Sequence, residues 1–250
     1  MPSVPVTVVV PTLNEQDQIG GLVESLDWVD EIMVVDGGSE DGTVALAIAG
    51  GARVMTVAGE TIAAQRNAGI EAASNAWILV LDADERATPE LRTEVAAAIA
   101  QPLHEAYRAR SLCYFLGREL RYGAYRRDWH IRLFRRERRF LISKVHEHLE
   151  PIQDVGDFSG RVIHRPFRDL PHYIAKVVRY ARWGADDLRT RRRHVSLVDL
   201  AFRPLWRFGR DYIILGGWLD GLPGFLVAAF AGVGTLMKYS YAIAEQGTGD

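Results

Sequence analysis

The chain of 250 residues has the length of one large domain, or of one domain with a smaller appended element. Its 48% hydrophobic and 25% charged residues exclude a disordered, collagenous or coiled-coil protein. The net charge of −2 hides an asymmetry, because residues 1–100 have a net charge of −12 and residues 101–250 a net charge of +10. The basic second part, in which Arg predominates, indicates a polyanionic or membrane-surface partner.

The cysteine content and the N-terminus limit the location and chemistry of the protein. The single cysteine, Cys113, excludes a disulfide framework and a zinc site built from cysteines. The first residues have no basic segment followed by a long apolar run, so they do not resemble a signal peptide. We therefore expect exposure to the cytosol.

The first hundred residues alternate between apolar runs and segments with helical spacing. The strands are predicted at residues 6–10, 31–35, 53–57 and 77–81, and the helices begin near Asn14, at Asp41 or Thr43, at Thr61 and at Thr88. Short connections between strands and helices imply right-handed crossovers and a parallel sheet. This pattern predicts an α/β half of the nucleotide-binding type.

The pattern changes after Pro102. Residues 105–165 contain short mixed runs that are typical of antiparallel strands and loops, such as 107–115 and 131–134. Residues 170–193 form a basic helical pattern, and 195–212 continue as a helix in which Pro204 predicts a kink.

The apolar tail at residues 213–244 leaves three interpretations. Its stretch Phe225–Met237, which carries no charge, is too short to span a bilayer, which takes about 20 residues. Cations and aromatic residues at both ends favour an interfacial or re-entrant helix slightly over a buried core helix. A full span ranks last.

Polar residues follow three of the predicted strands. Thr12, Asn14 and Glu15 follow the first, Asp36 ends the second, and the pair Asp82 and Asp84 follows the fourth. Ligands of open parallel sheets bind beyond the carboxyl ends of the strands, so these side chains are expected to converge. In Asp82-x-Asp84, one carboxylate suits a ribose hydroxyl and the other a divalent cation that also binds a diphosphate.

Together these motifs resemble family-2 inverting glycosyltransferases of the GT-A fold. The ordered segments are 10–15 (VPTLNE), 35–43 (VDGGSEDGT), 65–69 (QRNAG) and 81–85 (LDADE). Further segments resemble the branch of bacterial lipopolysaccharide-core transferases, namely 116–118 (LGR), 132–135 (RLFR), 145–147 (VHE), 217–224 (GWLDGLPG) and 238–239 (KY). The resemblance thus extends over nearly the whole chain.

The resemblance assigns roles to matching residues. It implies that nucleobase and ribose are held by Thr12, Asn14, Glu15, Asp36, Arg66 and Asp82. It implies that Asp84 ligates Mn²⁺ or Mg²⁺, and that the donor is a nucleotide-activated sugar, most often a UDP-sugar.

The general base has two candidates. A single displacement needs a carboxylate within reach of the acceptor hydroxyl. Glu147 occupies the matching place and Asp128 is the reserve. The neighbouring His146 is open to three interpretations, which are a metal ligand, an acceptor contact and an ordinary loop residue.

The arginines of the second part suggest anion contacts. Arg132 and Arg135 alternate as on a strand and could face the diphosphate, with Arg132 preferred. The run of Arg189 and residues 191–193 is usually a solvated helix end, but beside an apolar tail it fits anionic lipid head groups. No segment matches a nucleic-acid-binding module, so a nucleic-acid partner is not expected.

The sequence thus predicts an α/β protein with a mostly parallel, GT-A-type sheet and a helical, partly amphipathic C-terminal region. Residues 1–100 would bind the nucleotide sugar, 101–168 the acceptor, and 169–250 form the helical, membrane-interfacial extension. We expect a metal-dependent hexosyltransferase, peripheral on the inner face of the cell membrane, that glycosylates a lipid-linked or lipopolysaccharide-core acceptor. The alternatives are a nucleotidyltransferase and a non-catalytic sugar-nucleotide-binding protein at the membrane.

Overall fold

The computed structural model describes residues 3–126, 128–141, 148–167, 169–191 and 195–246, and of residues 245 and 246 it describes the backbone only. The chain forms two compact units. Unit 1 comprises Met1–Ser111 and Asp128–His164, and unit 2 comprises Leu112–Arg127 and Arg165–Asp250. Residues 112–127 thus group with the C-terminal helices, and the functional division at residues 100 and 168 stays a prediction.

The N-terminal part of unit 1 has the predicted alternation of strands and helices. Strands β1, β2, β3 and β4 pair in parallel in the order β3-β2-β1-β4. The elements are β1 (Val4–Thr12), α1 (Gln16–Glu24), β2 (Val29–Asp36), α2 (Thr43–Ala49), β3 (Arg53–Thr56), α3 (Ile62–Ala72) and β4 (Trp77–Val80).

The second part of the sheet is antiparallel, as the mixed pattern predicted. The sheet continues from β4 in the order β8-β6-β11-β5, with β8 antiparallel to both β4 and β6. The elements are β5 (Glu85–Ala87), α4 (Pro89–Ala100), β6 (Ala106–Phe115), β7 (Arg118–Leu120), β8 (Trp129–Arg135), β9 (Phe140–Leu141), β10 (His148–Leu149) and β11 (Val155–His164). Of these, β9 and β10 pair with each other in a separate two-stranded antiparallel sheet.

Local sequence signals set the helix starts of unit 1. The Thr61 hydroxyl accepts a hydrogen bond from the Ala64 amide at 3.2 Å, and the Thr88 hydroxyl accepts one from the Leu91 amide at 3.4 Å. Pro89 follows Thr88 in the first turn of α4, where its missing N–H removes no helical hydrogen bond. Both starts agree with the prediction.

Strand β1 lies at the centre of the core. Val8 and Val10 face one side, where they join a cluster with Leu22 of α1. Val9 points to the other side, where it joins a cluster with Ile70 of α3. Because both faces of β1 are covered, the strand is a continuous apolar run instead of an alternating one.

Unit 2 consists mainly of helices. The long helices are α5 (Leu170–Thr190), α6 (Leu197–Gly209) and α7 (Gly221–Gln246), and both α5 and α6 pack against α7. Pro204 lies inside α6, which continues past it to Gly209 and then widens into a π-helical turn at Arg210–Ile214. A 3-10 turn at Gly217–Asp220 leads into α7.

The C-terminal segment passes a composition test for a membrane span. Among the described residues, one helical segment, Gly217–Ala244, is long and apolar enough to cross a bilayer, with a mean hydropathy of 1.5. Length and composition alone carry this finding. Contact of the segment with a membrane stays a prediction.

Candidate active site

The ends of β1 and β2 bring the first predicted residues together. Thr12 pairs with Asp36 in the parallel register, both side chains are buried, and the Thr12 hydroxyl lies 3.4 Å from Asp36 Oδ1. The Asp36 carboxylate also accepts hydrogen bonds from the Gly38 amide at 2.9 Å and from the Ser39 amide at 2.8 Å. Gly38 has a φ of +99°, which favours glycine in this turn.

Asn14 and Glu15 lie in a loop that is bonded to the loop after β2. The Asn14 amide donates to Ser39 Oγ and the Glu15 amide to Thr43 Oγ1, both at 2.8 Å. In return, Asn14 Oδ1 accepts from the Glu40 amide at 2.9 Å. Asn14 has a φ of +57°, a left-handed conformation that asparagine tolerates better than most residues.

Asp82 is held by a predicted partner. Its Oδ1 accepts a hydrogen bond from the Arg66 guanidinium at 2.7 Å, and Arg66 also lies 5.1 Å from the centre of the Phe140 ring. Burial raises the pKa of Asp82, but the charges of Arg66 and Arg132 outweigh burial and lower the pKa to about 2. Asp82 is therefore ionised at neutral pH.

Arg132, which was expected to face the diphosphate, is buried. Its guanidinium forms a buried ion pair with Glu85, with nitrogen–oxygen distances of 2.7 and 2.5 Å, and donates to Ser111 Oγ at 3.1 Å. Glu85 Oε2 in turn accepts from the Asp82 amide at 2.9 Å. The expectation that Arg132 faces a diphosphate is thus replaced by a buried role beneath the Asp82 loop.

Arg135 lies far from the predicted site. Strand β8 runs antiparallel to β4, and Arg135 pairs with Trp77 at the start of β4, whereas Asp82 follows the end of that strand. The Arg135 guanidinium lies 4.0 Å from the Trp77 ring centre. Both arginines were expected to face the diphosphate. Arg135 lies three residues further along β8 than Arg132, however, which places it toward the edge of the sheet opposite to the one with Asp82.

A histidine that the sequence analysis missed lies beside Asp84. Strand β11 pairs with β5 so that His164 is opposite Glu85, and His164 Nε2 lies 3.4 Å from Asp84 Oδ2. Burial lowers the pKa of His164, but the hydrogen bond to Asp84 and the charges of Glu85, Asp84 and Asp82 outweigh burial and raise the pKa. The sequence feature that could have indicated His164 as a site residue is its position at the end of a strand. Its proximity to Asp84, however, arises only from the antiparallel register.

Asp84 and His164 form a donor set that fits a divalent cation bound jointly with a ligand. No group of three or more His, Cys, Asp or Glu side chains that could hold a metal occurs in the part of the chain that the structure describes. A carboxylate and an imidazole leave coordination positions for phosphate oxygens and water. The imidazole nitrogen suits Mn²⁺ better than Mg²⁺, which prefers oxygen ligands.

Of the two predicted bases, Asp128 lies in the described chain and Glu147 lies outside it, as does the candidate metal ligand His146. Asp128 Oδ1 is 2.7 Å from His130 Nε2, and the Asp128 carbonyl accepts from the Ser111 amide at 2.8 Å. Burial raises the pKa of Asp128, but the bond to His130 and the charges of His130, His164 and Arg132 outweigh burial and lower the pKa. Asp128 is therefore an ionised carboxylate that lies within the range of the charges of His164 and Arg132.

A comparison with known protein families identifies the family of this chain. The model of the family described as glycosyl transferase family 2 matches residues 7–152. The chain belongs to this family. The match includes every candidate site residue named above except His164.

The relatives of this family-2 glycosyltransferase extend the match to most of the chain. It is 33% identical over 241 residues to the lipopolysaccharide core biosynthesis glycosyltransferase LpsC of Rhizobium meliloti, covering 91% of this chain and 88% of that protein. It is also 26% identical over 251 residues to an uncharacterized glycosyltransferase of Rickettsia felis, covering 90% and 86%.

The fold also occurs in a solved structure. The crystal structure of residues 1–349 of TarS from S. aureus in complex with UDP-GlcNAc is 14% identical, with a TM-score of 0.52 and coverage of 98% of this chain and 92% of that chain. At this identity the likeness concerns the fold alone. The GT-A-type architecture, the family and the glycosyltransferase class that the motifs predicted are confirmed.

Proposed function

We propose that the protein is a metal-dependent inverting glycosyltransferase that uses a nucleoside-diphosphate sugar, with a UDP-sugar as the expected donor. The acceptor is a hydroxyl of a lipid-linked or lipopolysaccharide-core glycan at the cytoplasmic face of the membrane. The observation that best supports this proposal is that Asp82, Asp84 and His164 lie together at one edge of the sheet. The name of LpsC supports the acceptor class, and the ligand of TarS agrees with a UDP-sugar donor.

In this proposal the nucleoside binds at the ends of β1, β2 and β4. The Asp36 carboxylate, fixed by its own turn, accepts a hydrogen bond from the nucleobase or the ribose. Asp82 contacts the ribose, and its pKa of about 2 keeps it an acceptor at neutral pH. Arg66 orients Asp82 through their ion pair.

Asp84 and His164 would hold the divalent cation. Such a cation supplies charge neutralisation as the nucleoside diphosphate leaves. His146, the metal ligand first considered, lies outside the described residues and stays a prediction. The assignment of His164 adds a ligand that lies 3.4 Å from Asp84.

Asp128 is proposed as the general base. Its lowered pKa keeps the carboxylate ionised at neutral pH, which is the form that accepts the proton of the acceptor hydroxyl, although a lower pKa also makes it a weaker base. The acceptor oxygen then forms a bond to the anomeric carbon while the bond from that carbon to the diphosphate oxygen breaks. A single displacement of this kind inverts the configuration. Glu147 remains the alternative base.

The test is a titration of nucleotide sugars with and without Mn²⁺, in which binding is measured by thermal shift and by calorimetry. UDP-glucose and UDP-GlcNAc are the first probes, followed by GDP- and ADP-sugars. We expect Asp84→Asn and His164→Ala each to weaken Mn²⁺-dependent donor binding by at least about tenfold, because each removes a proposed protein ligand of the cation. Transfer should fall in parallel.

The chain contains a matched control for this test. His104 and Asp154 form a second His–Asp pair, with His104 Nδ1 lying 2.6 Å from Asp154 Oδ1 on the surface of unit 1. His104→Ala and Asp154→Asn should leave donor binding unchanged. Full transfer by Asp84→Asn in the presence of a chelator would refute the metal-dependent mechanism.

A further inference from the structure

Helix α6 exposes an apolar face to solvent. Val198, Phe202, Leu205 and Trp206 lie at helical spacing on one side, and their exposed fractions run from 63% to 70%. No residue of α6 is buried. This arrangement is the reverse of an ordinary surface helix, whose apolar stripe faces the core.

The opposite side of α6 is already in contact with α7. The Cα of Gly232 in α7 lies so close to α6 that an added Cβ would stand 3.1 Å from the Pro204 carbonyl oxygen and 3.4 Å from Phe208 Cβ. The orientation of α6 within unit 2 is therefore fixed by close packing. Its apolar face cannot turn inward without losing that packing.

The exposed apolar surface continues beyond α6. Ile213 and Trp218, in the turns that lead into α7, and Leu222, in the first turn of α7, are each more than half exposed. With the four residues of α6 they form what we call the apolar face. Soluble monomers rarely expose contiguous apolar patches of more than a few hundred Å², and larger ones mark membrane or protein contact sites.

The charge of unit 2 indicates what covers this face. Its two segments hold 17 Lys and Arg against 9 Asp and Glu, a net charge of +8. Arg207 and Arg210 flank the face and share a single carboxylate, that of buried Asp211, at 2.7 and 2.8 Å. A second copy of unit 2 would bring +8 against +8, whereas an anionic lipid surface complements both the charge and the apolar side chains.

We propose that the apolar face inserts into the head-group region of an anionic phospholipid monolayer, with α6 lying in the membrane plane. Trp206 and Trp218 belong at the boundary between head groups and acyl chains, where tryptophan is enriched. The contact thus assigns the membrane role to α6 and the turns after it, within the larger segment 169–250 that the sequence predicts to be membrane-interfacial. This inference rests on the proposed function, because contact with the membrane would bring the enzyme to a membrane-bound acceptor.

The test is co-sedimentation of the full chain with vesicles in the absence of donor and acceptor. The probes are vesicles of phosphatidylglycerol and phosphatidylethanolamine, and vesicles of phosphatidylcholine alone. We expect binding to the anionic vesicles, a blue shift of tryptophan fluorescence, and weaker binding at high salt. The triple variant Phe202→Gln, Leu205→Gln, Trp206→Gln should lower the vesicle affinity by at least roughly tenfold, because it removes a large part of the inserted apolar area.

A matched variant separates this surface from general hydrophobicity. Leu46, Ile48 and Leu103 are exposed apolar residues of unit 1, and their replacement by Gln should leave vesicle binding unchanged. Both variants should keep the circular dichroism and thermal unfolding of the parent, because they alter exposed positions.

Three outcomes would overturn the proposal. These are unchanged vesicle binding of the triple variant, equal binding to neutral vesicles, and self-association in solution that the triple variant abolishes without any vesicle binding. Because the assay contains no donor, its failure leaves the sugar-transfer proposal standing. Failure of the donor titration would likewise leave the lipid contact untouched.

Discussion

The ion pair of Arg132 and Glu85 shows what a single buried residue does at this site. Side chains of both are almost completely buried, with exposed fractions of 6% and 2%. A charge in such a place is tolerated only with a partner, so each residue requires the other. Because Glu85 also accepts from the Asp82 amide, the pair fixes the backbone from which Asp82 and Asp84 project.

The first prediction concerns this pair. Arg132→Met should lower the free energy of unfolding by about 3–5 kcal/mol, because Glu85 would remain buried and unpaired. Arg135→Met, on the same strand, removes only a cation–π contact with Trp77 and should cost about 1 kcal/mol or less. Urea unfolding at one pH measures both, and equal losses would contradict the argument.

The second prediction concerns the general base. Asp128→Asn should preserve Mn²⁺-dependent donor binding while transfer falls by roughly 10²–10⁴-fold, since the amide cannot accept the proton of the acceptor hydroxyl. Asp157→Asn, which alters an exposed carboxylate paired with Arg108, is the control. An undiminished rate in Asp128→Asn together with a loss in Glu147→Gln would assign the base to Glu147.

At the level of single residues, the sequence predicted those that follow a strand in chain order and missed those that depend on register. Thr12, Asp36 and Asp82 could be placed at one edge because parallel strands end together. His164 reaches Asp84 through an antiparallel pairing about 80 residues away along the chain, which no local pattern reveals. The burial of Arg132 against Glu85 likewise depends on how the strands pair and could not be predicted from the local sequence.

Helix α3 shows how one element serves both packing and the site. Arg66 reaches Asp82, and the Asn67 side chain exchanges hydrogen bonds with the backbone of Phe140 at 2.8 and 2.9 Å. Gly69 lies against the sheet, where a Cβ would stand 2.6 Å from Val9 Cγ1 and 2.8 Å from Val35 Cγ2. The close approach of this glycine sets the distance from which Arg66 reaches the strand ends.

The third prediction compares two glycines inside helices. Gly69→Ala should lower the free energy of unfolding by about 1–3 kcal/mol relative to Gly20→Ala, because the new methyl group overpacks the contact with β1 and β2. Gly20 in α1 has no atom within 4 Å of an added Cβ, so Gly20→Ala should stabilise the protein by about 0.5–1 kcal/mol. Denaturant midpoints of both variants decide the comparison, and similar midpoints would contradict it.

At the level of elements, length determined how well the sequence could be interpreted. Strands β1, β2 and β4 and helices α3 and α4 were predicted because each is a long apolar run or carries a capping threonine. Strand β5 has only three residues, Glu85–Ala87, and was not predicted, because its first residue belongs to the acidic segment 82–85. Such a short strand exists through its pairing with β11 instead of its own propensity.

For the whole molecule, the net charge of −2 separates into the two units. Unit 2 has a net charge of +8, which leaves −10 for unit 1. The acidic unit contains the candidate cation ligands Asp84 and His164, and the basic unit contains the apolar face. The sequence revealed the asymmetry but could not show that residues 112–127 belong with the helices, because that grouping is made by tertiary contacts.

The reciprocal hydrogen bonds between the loops after β1 and β2 have a thermodynamic consequence. Gln16 extends the set, since its amide donates to Asp41 at 3.3 Å and its side-chain oxygen accepts from the Gly42 amide at 3.0 Å. The two exposed loops are therefore ordered as one piece when the protein folds. A nucleoside that binds there, as proposed, would meet a surface whose conformational entropy has already been lost, so more of its contact energy would remain as affinity.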